Sequence, residues 1–197
     1  MVAAVKFPVV PAVLLVLAAV LSGCTKDIDH QIVVSTVDQR MTVLNKGVPM
    51  ATYAVSTSKF GLGDMPGSYR TPIGRLEVEK KIGDGAPMGA VFKNRQFTGE
   101  ILAADAPGRD PIVTRILWLK GTEEQTAHAF DRTIYIHGTP EERNLGLPAS
   151  YGCVRMRSVD IAQLYGIVGW GAEVFILPFP LDRAVRYAQH DKGAGRL

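Results

Sequence analysis

Cysteine is nearly absent from this 197-residue chain: Cys24 and Cys153 are the only two. A disulfide framework is therefore excluded as the basis of the fold, because such scaffolds need several paired cysteines in a short chain. The spaced ligand or nucleophile patterns H-E-x-x-H, C-x-x-C and G-x-S-x-G are also missing, and His30, His128 and His190 have no ligand-like spacing with acids or cysteine. The sequence thus calls for no metal and no cofactor. Charge of one sign is not in excess, at a formal +3, which argues against a nucleic-acid partner. Long apolar runs are lacking too. The longest, Ala12 to Leu21, is too short to span a bilayer comfortably, and Pro8 and Pro11 interrupt the stretch before it.

That short run has another reading. Lys6, the apolar stretch and the small residues Ser22 and Gly23 have the layout of a secretory signal. The ending Leu21-Ser22-Gly23-Cys24 resembles the bacterial lipoprotein signal, in which the cysteine is lipidated and becomes the first mature residue. Removal of residues 1–23 leaves 174 residues, enough for one domain with a sizeable core. The expected organisation is a signal over 1–23, a tether over 24–30, a domain over 31–178 and a polar tail over 179–197, frayed at its end. The expected location is the outer side of a bacterial envelope membrane, reached through a lipid on Cys24. Acylation of Cys24 would leave Cys153 unpaired in an oxidising compartment, whereas a Cys24–Cys153 disulfide is the alternative.

The remaining chain reads as mainly β. From Ile32, three β-branched runs are punctuated by Val37-Asp38-Gln39 and Asn45-Lys46-Gly47, which predicts a strand meander with tight turns. Further strands are expected over Gly74 to Ile82, Val113 to Leu119, Ile134 to His137 and Ala172 to Leu177. The glycine-rich stretches 61–67 and 83–89 miss the G-x-G-x-x-G spacing and precede no amphipathic helix, so they read as loops. The long Gly/Pro-rich region from Gly83 to Pro111 reads as a lid or a binding wall. One helix is expected from Ser158, with Ser158 as cap, Asp160 in its first turn, and Ile161, Leu164, Tyr165 and Val168 as its core stripe. Trp118 and Trp170 read as core packing residues, with a sugar- or peptide-binding groove as the alternative.

The chemistry concentrates in IYIHGTPEERNLGLPASYGCVRM, residues 134–156. His137 closes a strand and Cys153 precedes the helix, joined by a polar loop able to fold back. A thiol is mostly protonated near neutrality, and a histidine within reach can take its proton and later return it to a leaving amine. Gly152 lets a carbonyl approach the backbone, where nearby amides can hold an oxyanion. Arg155, two residues on in an extended segment, shares a face with Cys153 and offers a fork for a carboxylate, or braces the helix start by pairing with Asp160.

This setting closely resembles the L,D-transpeptidase catalytic domain, also called YkuD. The resemblance rests on His137-Gly138-Thr139, on the twelve residues between His137 and Ser150, and on Ser150-Tyr151-Gly152-Cys153-Val154-Arg155. It extends over about residues 31 to 178 and includes Thr71-Pro72-Ile73-Gly74, similar to the family's T-P-x-G turn. It implies a sandwich-like or barrel-like β fold with a helix after the cysteine. Cys153 becomes the acylated nucleophile and His137 its base, oriented by a backbone carbonyl. Gly152 falls at the oxyanion site, Arg155 in the substrate pocket, and Ser150, Tyr151 and Gly138 around the substrate. Tyr151 departs from the family's usual histidine. The implied substrate is the stem peptide of peptidoglycan, cross-linked through a thioester. Resolution by water or by a protein lysine, and a wall-binding lipoprotein without activity, are the alternatives. Oligomeric state and acceptor are not specified by the sequence.

Overall fold

The computed structural model describes residues 25–191; the expected signal and Cys24 lie outside the described residues. Three antiparallel strands open the domain: β1 (His30–Ser35), β2 (Arg40–Asn45) and β3 (Val48–Ala54). Both turns fall where the sequence puts them, and Gln39, Lys46 and Gly47 adopt the positive φ that tight reversals need. Then follow β4 (Gly74–Ile82), β5 (Ala90–Lys93), β6 (Gln96–Ile101), β7 (Ile112–Gly121), β8 (Tyr135–Gly138), β9 (Val154–Met156) and β10 (Glu173–Leu177). Helix α1 (Ser158–Ile167) separates β9 from β10, and α2 (Leu181–Asp191) closes the described chain. None of the helices in residues 25–191 is long and apolar enough to cross a membrane.

The strands form one hydrogen-bonded sheet in the order β3-β2-β1-β10-β4-β7-β5-β6, and β8 and β9 branch from β7. Only β1–β10 and β8–β9 pair in parallel. The branch does not end free. Beyond β3, Ser56 and Arg155 exchange both backbone hydrogen bonds, at 3.0 and 2.9 Å, so the segment after the third strand pairs with β9. The path β3-β2-β1-β10-β4-β7-β8-β9 is therefore closed by this one bridge, a barrel-like form of a mainly β domain in which β9 has a partner on both sides.

Strand parity explains which residues lie inside. Ile32 and Val34 of β1, Val174 and Ile176 of β10, Leu117 and Leu119 of β7, Ile136 of β8, and Val154 and Met156 of β9 enter one core together with Ile161 and Leu164 of α1. The alternate residues Val33, Leu44, Phe175 and Leu177 face outward and are covered by α2 through Ala184 and Ala188. β1 and β10 are thus buried on both faces, which accounts for their unbroken apolar runs.

Several expectations change here. Within the stretch read as a polar tail, residues 181–191 form α2, because two alanines four apart place a small flat stripe against the sheet while charged residues cover the rest. The tether is likewise not loose over residues 26–29. Asp27 donates its amide to the Trp170 carbonyl at 2.7 Å and accepts the Gly169 amide at 2.6 Å, and Lys26 pairs with Glu77 at 2.7 Å. The Gly83–Pro111 region contains the β5–β6 hairpin, which extends the sheet from the start of β7. Ser158 does not cap α1. Its amide donates to the Glu142 carboxylate at 2.9 Å, so the cap comes from the loop before β9.

The tight fit of α2 is testable: Ala184→Leu should overpack the seam against β1 and destabilise the domain by about 1–3 kcal/mol. Chemical denaturation of the variant, read against the parent chain, checks it.

Candidate active site

The faces of β8 and β9 that point away from the core carry the chemistry. Register pairs Ile136 with Val154 on the core side and His137 with Arg155 on the other, and Cys153 sits one residue before β9 on the same side as Arg155. The fold that aligns these two parallel strands therefore gathers His137, Cys153 and Arg155 on one surface. Together with Asp110, Ile112 and Tyr151 they line a cavity of about 190 Å³. A second cavity, about 300 Å³, opens on the other side of the cysteine and is lined by Gly67, Tyr69, Arg132, Thr133, Ile134, Tyr151 and Cys153.

The His137 ring is fixed by its own strand end. Its Nδ1 lies 2.8 Å from the Gly138 carbonyl oxygen. A carbonyl only accepts, so Nδ1 carries the proton and Nε2 keeps its lone pair, the state a general base needs. The orienter is a backbone carbonyl, as the resemblance implies. Gly138 serves here rather than at the substrate: a Cβ on it would stand 2.6 Å from the Val113 carbonyl, so only glycine lets β8 and β7 approach this closely.

The thiol rests in an apolar lining formed with Tyr135 and Ile116. It accepts the Tyr135 amide at 3.4 Å and donates to the Thr133 carbonyl at 3.5 Å, and no hydrogen bond joins it to His137. Burial pushes the Cys153 pKa up to about 11, against the opposing pull of the Tyr135 amide, Arg155 and Arg132. Burial also pushes His137 down to about 4, with the Gly138 bond acting against it and the Arg155 charge acting with it. Near neutrality the resting pair is thiol and neutral imidazole, not thiolate and imidazolium.

The loop before the cysteine is braced in layers. Ser150 is buried and structural: its hydroxyl donates to the Cys153 carbonyl at 2.6 Å and accepts the Gly152 amide at 3.2 Å. Gly152 adopts φ +122° and its carbonyl accepts from Thr71 at 2.9 Å. Both of its backbone groups are thus occupied, which removes the Gly152 amide as an oxyanion donor. The amides of Tyr151 and Cys153 have no partner among the described residues and remain to fill that role. Tyr151 itself is exposed, held by Lys59 Nζ, which donates to its hydroxyl at 2.9 Å.

Arg155 also departs from expectation. Its side chain is 8% exposed and its guanidinium pairs with Asp110 at 2.6 Å and Glu141 at 3.7 Å, not with Asp160. Asp110 additionally accepts the Thr139 hydroxyl at 2.6 Å. A fork already engaged by two acids is not free for a substrate carboxylate, so Arg155 acts as a fixed cation between the two loops that flank the cavity. Sequence reasoning missed Asp110, Glu141 and Arg132. Arg132 backs the larger cavity and is paired with Asp64 at 2.6 Å. Only the T-P-x-G turn gave a signal, through Thr71; the acids lie in loops whose paths depend on the closed barrel.

Comparison with known proteins identifies the family. The sequence model of the L,D-transpeptidase catalytic domain, YkuD, matches residues 29–176. The chain belongs to this family. Among solved structures, an L,D-transpeptidase from Mycobacterium tuberculosis H37Rv is 18% identical, with a TM-score of 0.50 over 76% of this chain and 57% of that one. L,D-transpeptidase 3 from Mycobacterium tuberculosis is 16% identical, again with a TM-score of 0.50, over 76% and 61% of the two chains. The likeness establishes a shared L,D-transpeptidase fold, and this chain spans about three fifths of the length of those two. No curated protein matches significantly in sequence.

The buried neutral imidazole sets a pH dependence. The folded state holds the His137 pKa near 4, below its ordinary 6.5, so the unfolded chain binds the extra proton first as pH falls. Stability should be full above pH 6.5 and decline as pH drops toward 4, and His137→Gln should flatten that part of the curve. Melting temperatures of both chains across this range check the sign.

Proposed function

We propose that this protein is an L,D-transpeptidase that cross-links peptidoglycan stem peptides through a thioester on Cys153. The observation that carries the reading is the meeting of Cys153 with a His137 locked in the Nε2-acceptor tautomer on one cavity wall. Sγ loses its proton to Nε2 as it attacks the stem carbonyl at the L-centre. The carbonyl oxygen draws charge toward the Tyr151 and Cys153 amides. The C–N bond to the terminal D-amino acid breaks and its nitrogen leaves with the proton from His137. An amine of a second stem then enters on the His137 side. It gives its proton to Nε2, forms the new C–N bond and expels the sulfur, which recovers the proton. No cofactor enters this sequence.

Intact-protein mass spectrometry after incubation with a tetrapeptide stem tests the reading. The parent chain should gain one acyl mass on Cys153, and Cys153→Ala none. His137→Ala should slow adduct formation by about 10²–10⁴-fold, the usual range for loss of a positioned general base. An adduct in the Cys153→Ala chain would remove Cys153 as nucleophile.

The Leu21-Ser22-Gly23-Cys24 ending supports a second part of the proposal, export and lipid anchoring through Cys24 on the wall-facing side of an envelope membrane. Only Thr25 and Lys26 separate that anchor from the docked Asp27, so the domain would sit close to the surface. Cys24→Ser should move the protein from the membrane to the soluble fraction while the adduct on Cys153 still forms. Retention in the membrane fraction would overturn the lipid anchor.

A further inference from the structure

The two cavities at Cys153 share only two lining residues, Cys153 itself and Tyr151. Tyr151 and Cys153 therefore stand between them, and of the two Tyr151 has the larger side chain. It is 55% exposed and owes little of its position to core packing. What holds it lies on the rim: Lys59 Nζ bonds its hydroxyl and sits 4.3 Å from its ring centre, and the rings of Phe60 and Tyr69 stand 5.5 and 6.1 Å away. The Lys59 amide also donates to the Ser150 carbonyl, so the cation is tied to the residue just before the ring it restrains.

The chambers differ in character. The smaller one holds the base His137 and the Asp110–Arg155–Glu141 group, with two acids for one cation. The larger one is backed by Arg132, neutralised by Asp64, and is lined by Tyr69 and Ile134. An amine that must surrender a proton to His137 enters through the smaller chamber, and the acyl part of the donor occupies the larger.

On the reading that Cys153 carries a thioester, we infer that Tyr151, pinned by Lys59, is a specificity wall that keeps the acyl group and the incoming amine in separate chambers and excludes water from the thioester. The competition is between two balanced steps. In cross-linking, an amine nitrogen bonds the thioester carbon, the C–S bond breaks, and the amine proton passes through His137 to sulfur. In hydrolysis, a water oxygen makes the bond instead and its proton follows the same route. Removing the ring joins the chambers, loosens the alignment of the amine and admits water, so hydrolysis gains.

The test measures partition per thioester formed, which is independent of how fast the thioester appears. A synthetic tetrapeptide stem with a free side-chain amine serves as donor and acceptor, and cross-linked and hydrolysed products are counted for the parent, Tyr151→Ala, Tyr151→Phe and Lys59→Met. The cross-linked to hydrolysed ratio should fall by between ~10-fold and ~10²-fold in Tyr151→Ala, the scale of a misaligned nucleophile. Smaller falls are expected in Tyr151→Phe and Lys59→Met, which keep a ring but lose the pin. Melting temperatures close to the parent's show that the fold is kept, and Tyr151→Phe and Lys59→Met carry the test if Tyr151→Ala is not. Thioesters with an unchanged ratio in all three variants overturn the wall alone. No thioester on the parent chain overturns the acyl-transfer reading and the wall with it.

Discussion

The pair of backbone hydrogen bonds between Ser56 and Arg155 is the joint on which the rest of the molecule depends. It ties the branch that carries β8 and β9 back to the segment after β3, and it does so two residues from the candidate nucleophile. From there the segment after β3 continues to stitch the loop. The Thr57 carbonyl accepts the Ser150 amide, the Ser58 amide donates to the Thr71 hydroxyl, and that hydroxyl donates to the Gly152 carbonyl. The precision of the site thus comes from the main chain of three distant segments. Each bond is modest by itself, but buried backbone groups left unpaired would cost far more, so the arrangement has few alternatives.

Electrostatics at the site follows from the same placement. The reactive groups sit against an apolar lining that resists charge, and the nearest cation, Arg155, is itself compensated by Asp110 and Glu141. A neutral thiol resists oxidation better than a thiolate, because oxidants attack the ionised sulfur.

Much of this was legible from the chain itself, and the reasons differ by element. The strands from His30 to Ala54 and from Gly74 to Ile82 carry β-branched residues between clear turn signals, so local pattern was enough. The His137 and Cys153 setting was legible because a catalytic motif needs fixed residue types at fixed spacing. The α2 helix was not, since its buried stripe is only two alanines and most of its residues are polar. The β5–β6 hairpin hid behind glycine and proline, and β6 is exposed along most of its length, so no alternation marks it. Asp110 and Glu141 look like ordinary loop acids. Their partner is reached only through the closed strand path, a long-range fact that no local window contains.

The position of β10 has a consequence for how the molecule comes into being. This strand lies between β1 and β4, in parallel register with the first strand of the domain, and it comes from residues 173–177. The centre of the sheet therefore joins two segments far apart in the chain, 142 residues at the Gln31–Glu173 pair. Such wiring gives high contact order, and folding waits on that long-range encounter rather than on any local hairpin, which makes assembly slow compared with a sheet built from neighbours.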